Sequence, residues 1–169
     1  LIKPHMFSEG IAGQVIDMIL DAGFEISAME LFYLTRPVIE EFYEVYKGVL
    51  PEYLPLIEHM SNGPLLALEI RQQDAVSSFR DLCGPHDPEI AKHLKPESIR
   101  AKFGQDRVRN AVHCTDMPED GVLEVKYFFD ILKVIVNRLR TECGKISQNL
   151  NLKNLKLDKE VRKRVEMRD

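Results

Sequence analysis

The sequence predicts an α+β sandwich, and three features of it do so. Some segments repeat apolar residues at helical spacing while others alternate them, which separates helices from strands. The two kinds of segment follow one another as strand, helix, strand, and then as strand, helix, strand again. With 169 residues and 44% hydrophobic positions the chain can bury one core, so one such domain is the default.

Leu1 to Pro4 reads as the end of a strand, because Pro4 would interrupt a ladder that continued. A chain that opens in mid-strand is expected to have residues before Leu1. Ser8 to Ala22 is next, a helix with Ile11, Val15, Ile16, Ile19 and Leu20 on one face; Ser8 is its candidate cap and Gly23 its stop. Glu25 to Thr35 alternates as a strand. Pro37 to Gly48 is a second helix, and Pro51 to Met60 a short helix that doubles back on it. Asn62-Gly63-Pro64 marks a turn before the strand Leu65 to Ile70. Ala75 to Leu82 is a helix that ends at Gly84.

A last strand-like run ends near His113. Thr115 and Asp116 are good N-caps, Pro118 suits a first helical position, and Glu119 and Asp120 complement the positive helix end. Helical spacing then runs on through Val122, Val125, Phe128, Phe129, Leu132, Ile135, Val136 and Leu139 to a stop at Gly144. Asp158 is expected to cap a final charged helix. This order, with helices against one sheet, suggests a ferredoxin-like arrangement: a four-stranded antiparallel sheet covered by helices, with a C-terminal helical extension. The expected division is a domain over residues 1–132 and an extension over 133–169.

Charge divides the chain at the same place. Residues 1–132 carry 12 Lys and Arg against 22 Asp and Glu, whereas residues 133–169 carry 11 against 5. An acidic body argues against a general nucleic-acid surface, which needs a broad positive face. No apolar run is long enough to span a bilayer. Cys83, Cys114 and Cys143 are too widely spaced for a disulfide framework or a zinc knuckle, so reduced thiols and no protein-held metal are expected.

The stretch Arg107 to Glu124, RVRNAVHCTDMPEDGVLE, carries the chemistry. It places His113 just before a helix start, with Glu124 in that helix's second turn and able to fold back on the imidazole. An imidazole held in one tautomer by a carboxylate is a nitrogen nucleophile. A lone strand-end histidine ordinarily has no such role, but the residues around this one match a motif. Asn110 to Asp116, NAVHCTD, with Glu124 downstream resembles the active-site segment of the nucleoside diphosphate kinases, whose usual form is RN-x-x-HGSD followed by a glutamate. The resemblance runs from Lys3 to about Leu132.

That resemblance implies phosphoryl transfer from a nucleoside triphosphate to a nucleoside diphosphate through a phosphohistidine at His113. It gives Glu124 the task of orienting the imidazole and places the Tyr43 hydroxyl, from the Phe42-Tyr43 pair, near the histidine. Lys3 matches the lysine of an x-K-P-D motif that neutralises phosphate charge. Arg80 and Arg100 match phosphate-binding arginines, suited to the task because a planar fork grips two oxygens. His86 stands where the family has a phosphate-contacting threonine. Asn110 would hold the ribose, Thr115 replaces the motif's serine, and Tyr53 is the candidate for stacking on the base. Magnesium would ride on the nucleotide phosphates, since no carboxylate cluster offers it a cage.

Departures accompany the match. His5 replaces the aspartate of x-K-P-D, Glu9 replaces an arginine, and what is a loop in the family is about three residues longer here, between Pro88 and Pro96, which argues against the usual homohexamer. HDPEIAKHLKPESIR is similar to the carboxy-terminal kinase-like domain of an axonemal family member with two such domains in tandem. Two readings result: an active kinase, or a structural module of a ciliary microtubule assembly with weak or no activity, whose basic tail reaches tubulin or axonemal proteins. On either, the chain is cytoplasmic, at the cytoskeleton or cilium axoneme, and binds neither nucleic acid nor membrane.

Overall fold

The computed structural model describes residues 1–138. Four chain segments lie side by side in one antiparallel layer. β1 (Glu25–Tyr33) pairs with β2 (Pro64–Arg71), from Glu25 opposite Arg71 to Tyr33 opposite Pro64, with a bulge between Ile26 and Ala28. Ile2 bridges Leu66 on one side and Val112 on the other. The order across the layer is therefore Val112, Ile2, β2, β1.

Among the described residues β1 and β2 form full strands, and the segments at Ile2 and Val112 join the layer through single bridges. The segments at Ile2 and Val112 are cut short by local chemistry. Pro4 has no N–H to donate to a ladder and instead starts α1 (Pro4–Ser8). Ala111 sits at φ 69°, a left-handed conformation that turns the chain immediately before Val112. Backbone bonds from Lys3 N to Ala111 O (3.0 Å) and from His113 N to Leu1 O (2.9 Å) hold the two short segments together.

The first long helix is divided. α1 ends at Ser8, whose hydroxyl donates back to His5 O (3.0 Å) instead of capping the next helix. Gly10 at φ 70° lets the chain turn, and α2 runs over Ala12–Asp21. α3 (Arg36–Phe42) gives way to a 3₁₀ turn at Glu44–Tyr46, with Tyr43 at the junction, and packs against α4 (Tyr53–Ser61). α5 (Ala75–Cys83) stops at Gly84, as its φ of 78° allows.

The stretch expected to be a loop folds into α6 (Pro88–Leu94), capped by the Asp87 carboxylate on Glu89 N (3.0 Å). It packs on α7 (Ile99–Phe103), which Ser98 caps at Ala101 N (3.4 Å). α8 (Pro118–Lys126) leads into a π-helical turn over Tyr127–Leu132, and helix continues to residue 138. The chain divides into two compact units, Leu1–Val125 and Lys126–Asp169. The expected stop at Gly144 and the final helix from Asp158 lie outside the described residues.

In the first unit the core joins Ile2, Met6, Val15, Ile19, Phe24, Leu66, Ile99 and Val112, with Ile26, Leu68, Ile70 and Phe79 packed on it. Burying such side chains is worth about 1.5–3 kcal/mol each, so this cluster fixes the adjacent segments that carry Lys3 and His113. No helix among the described residues is long and apolar enough to cross a membrane.

Candidate active site

His113 comes directly after the bridging residue Val112, so the pairing of Val112 with Ile2 aims it. Its ring is clamped edge-on by Phe42 (centroids 5.3 Å apart) and Tyr43 (5.4 Å), both from the end of α3. Nε2 lies 3.2 Å from Glu124 Oε2. A carboxylate only accepts, so Nε2 carries the proton and Nδ1 keeps its lone pair. Thr115 Oγ1 donates to the same Glu124 oxygen (2.9 Å). Burial pushes the Glu124 carboxyl up, but the His113 and Thr115 hydrogen bonds outweigh it and hold it below the usual carboxylate range.

Two buried cations face this imidazole. Lys3 Nζ donates to Val108 O (2.8 Å), and burial, with Arg100 adding, brings its pKa down to about 7. Arg100 is fixed by Gly84 O (2.8 Å) and Val112 O (3.2 Å). Arg80 lies further out, exposed, and pairs with the Asp116 carboxylate, which also accepts from the Tyr46 hydroxyl. Burial pushes the Asp116 carboxyl up, and the Tyr46 and Arg80 hydrogen bonds more than offset it.

A cavity of about 100 Å³ opens between these groups, lined by Lys3, Tyr43, His86, Arg100, Asn110, His113 and Cys114, with Tyr46, Leu50, Leu56 and Asp116 among its other walls. Three of its buried polar atoms have no partner among the described residues: Tyr43 Oη, Arg100 Nε and Asn110 Oδ1. Orphaned polar atoms in native interiors are few, and three around one histidine mark a place for a polar ligand.

Residues 1–134 match the nucleoside diphosphate kinase family. The chain belongs to that family. It is 56% identical over 132 residues to nucleoside diphosphate kinase homolog 7 of Rattus norvegicus, a match covering 78% of this chain and 33% of the relative. It thus spans about a third of the length of that relative and of its Mus musculus counterpart. It is 36% identical over 135 residues to the nucleoside diphosphate kinase of Aquifex aeolicus, covering 80% of this chain and 94% of that one. A solved structure of the Aquifex enzyme superposes with a TM-score of 0.72 at 37% identity, over 78% of this chain and 92% of that chain.

Most of the residues singled out from the kinase motif meet at the cavity: Lys3, Tyr43, His86, Arg100, Asn110 and His113 line it, and Glu124 touches His113 from outside. His86 lies at the exposed rim. Its carbonyl accepts from Asn110 Nδ2 (2.9 Å), and burial, with Arg100, Lys3 and Arg107 adding, lowers its pKa. Thr115 spends its hydroxyl on Glu124, and Arg80 is held by Asp116; neither lines the cavity.

Tyr53 is buried in α4 and is also absent from the lining. Besides Tyr43, the tyrosine that reaches it is Tyr46, three residues further on, and that one-turn spacing was the available signal. Thr115 and Asp116 have the chemistry of caps, but α8 begins at Pro118 and both side chains serve the site instead. With Asp116 and Glu124 engaged, no spare carboxylate remains at the cavity, and no metal-holding cluster is found among the described residues.

Proposed function

We propose that the chain performs nucleoside diphosphate kinase-type phosphoryl transfer. His113 Nδ1 attacks the γ-phosphorus of a nucleoside triphosphate: an N–P bond forms, the P–O bond to the β-phosphate breaks, and the diphosphate leaves. A second diphosphate takes the phosphoryl group back by the reverse displacement. Such a transfer needs in-line positioning and charge neutralisation more than proton movement. Lys3 and Arg100 supply the charge at the reacting phosphate, with Arg80 further out. Asn110 and His86 receive the rest of the nucleotide, and Tyr43 Oη can donate to a phosphate oxygen. Magnesium on the phosphates would share the charge. Through its carboxylate, Glu124 keeps the Nε2 proton in place, so the reactive lone pair stays on Nδ1 in every cycle.

The His113–Glu124 contact at 3.2 Å, beside three orphaned polar atoms, carries this reading. Incubation with γ-labelled ATP is expected to give an acid-labile, alkali-stable phosphoenzyme that nucleoside diphosphates discharge. Label that resists mild acid, or that persists in His113→Ala, overturns it.

A second role, attachment to a microtubule of the cytoskeleton or cilium axoneme, rests on a different observation, the 11 Lys and Arg against 5 Asp and Glu of residues 133–169. It is compatible with catalysis.

A further inference from the structure

Cys83 closes α5 and Cys114 is the residue after His113, yet both fall in the same buried cluster. Each thiol acts on the proton affinity of the other, so the two side chains are neighbours within that cluster. Arg100 braces the arrangement, with Nη1 on Gly84 O (2.8 Å) and Nη2 on both Val112 O (3.2 Å) and Cys114 Sγ (3.5 Å). One guanidinium therefore spans the residue after one cysteine and the sulfur of the other. The proposed phosphoryl transfer uses neither thiol, and the usual family motif has glycine where Cys114 stands.

The two sulfurs differ in ways that assign them different tasks. Cys114 lines the His113 cavity, so a small solute there can touch it, whereas Cys83 is wholly buried behind it. The neighbouring Cys83 holds the Cys114 thiol below its usual pKa against the opposing effect of burial, and Arg100 adds in the same direction. Burial pushes the Cys83 thiol up. A thiolate beside a cation is the form that reacts with peroxides, and a neighbouring thiol is what stops its further oxidation.

We propose that Cys114 and Cys83 are an oxidant-reactive thiol pair, with Cys114 the site of attack on a hydroperoxide and Cys83 the resolving partner. The Cys114 thiolate attacks one peroxide oxygen: an S–O bond forms, the O–O bond breaks, and the departing hydroxide or alkoxide takes a proton from water. Sulfur is oxidised by two electrons to a sulfenic acid, and the peroxide is reduced. The Cys83 thiol then attacks Cys114 sulfur; an S–S bond forms, the S–O bond breaks, and hydroxide leaves as water with the Cys83 proton. The disulfide ties the residue after His113 to the end of α5 and removes the thiolate from Arg100. On the function proposed above, phosphorylation of His113 is lost until a reductant restores the thiols.

The test treats the full chain with hydrogen peroxide, blocks remaining thiols with an alkylating reagent, and maps tryptic peptides by mass. Residues 81–92 and 110–126 are expected as one linked species, two hydrogens lighter than their sum, that dithiothreitol separates. Cys143→Ser should keep the link, and in Cys83→Ala the Cys114 sulfur should run on to the sulfinate. Both peptides recovered alkylated, or Cys143 found as the partner, overturns the pair. A linked peptide with undiminished ATP labelling overturns the control of His113. Reduced protein that never labels counts against the proposed function alone, because the link is read by mass.

Discussion

In the proposed mechanism Glu124 and Lys3 serve His113 differently, one through a proton and the other through charge. Removing the acceptor from His113 Nε2 in Glu124→Ala frees the ring to exchange tautomers and to rotate. A hydrogen bond to a charged partner is worth about 1.5–3 kcal/mol, or a factor of roughly 10 to 100 in rate. The expected outcome is a kcat loss of that order with KM for the nucleotide little changed, measured by steady-state kinetics. A change confined to KM would refute the positioning role. Lys3 makes a pH prediction. Its folded pKa of about 7 lies below the ordinary 10.5, because burial and then Arg100 disfavour the charge. The unfolded chain therefore holds the extra proton between those values, and stability from this group rises with pH across that window and is least below it. A bound polyphosphate restores the charge, so nucleotide binding at pH 8 should take up a proton. Calorimetry in two buffers of different ionisation enthalpy checks this, and equal heats in both would contradict it. The Lys3 motif was legible in the sequence, but its depressed pKa was not, because burial and the approach of Arg100 exist only in the fold.

Two clasps between elements hold this site open, and neither is a helix–helix face. In the first, Ala111 N donates to His5 Nε2 (3.3 Å), which leaves His5 Nδ1 to donate to His59 Nε2 (2.9 Å), joining the turn before Val112 to α1 and α4. Burial above all lowers both histidines to about 4, below the ordinary 6.5. The unfolded chain binds more protons between those values, so stability is lost as pH falls from 6.5 towards 4. The melting temperature should drop across that window, and His59→Gln should flatten the slope; an unchanged slope would sink this account. The second clasp is the Gly84 corner. A Cβ there would overlap Ser98 Oγ and lie 2.6 Å from Ser98 Cβ, at a φ that L side chains resist. Gly84→Ala should cost about 1–3 kcal/mol and loosen Arg100, so thermal melting and nucleotide affinity should fall together. At this scale the sequence was readable where periodicity ran long, as in α2, α5 and the β1–β2 pair. It was unreadable where a segment contributed a single residue to the layer, as Ile2 and Val112 do. Asp87-Pro88-Glu89 carries a cap, a Pro start and a first-turn acid, yet α6 passes for a loop when the stretch is judged by its extra length.

For the molecule as a whole, the separation of charge is the feature that no single element explains. The body carries 12 Lys and Arg against 22 Asp and Glu, and residues 133–169 carry 11 against 5. Among the described residues, none that lines the cavity lies in that basic stretch, so the two proposed roles can be tested separately. Deleting Lys145 to Asp169 should leave His113 labelling and nucleotide KM unchanged. The same deletion should abolish co-sedimentation with microtubules, whose wall is acidic. In the intact chain that binding should weaken as salt rises past physiological strength, since exposed charges more than about 8 Å apart are largely screened there. An intramolecular alternative makes the opposite forecast: a basic segment folded onto its own acidic body would stabilise it, and deletion would lower the melting temperature without touching any partner. Melting and sedimentation read on the same truncated protein decide between the two. If deletion leaves microtubule binding intact, attachment does not reside in Lys145 to Asp169, and the charge asymmetry serves the chain itself.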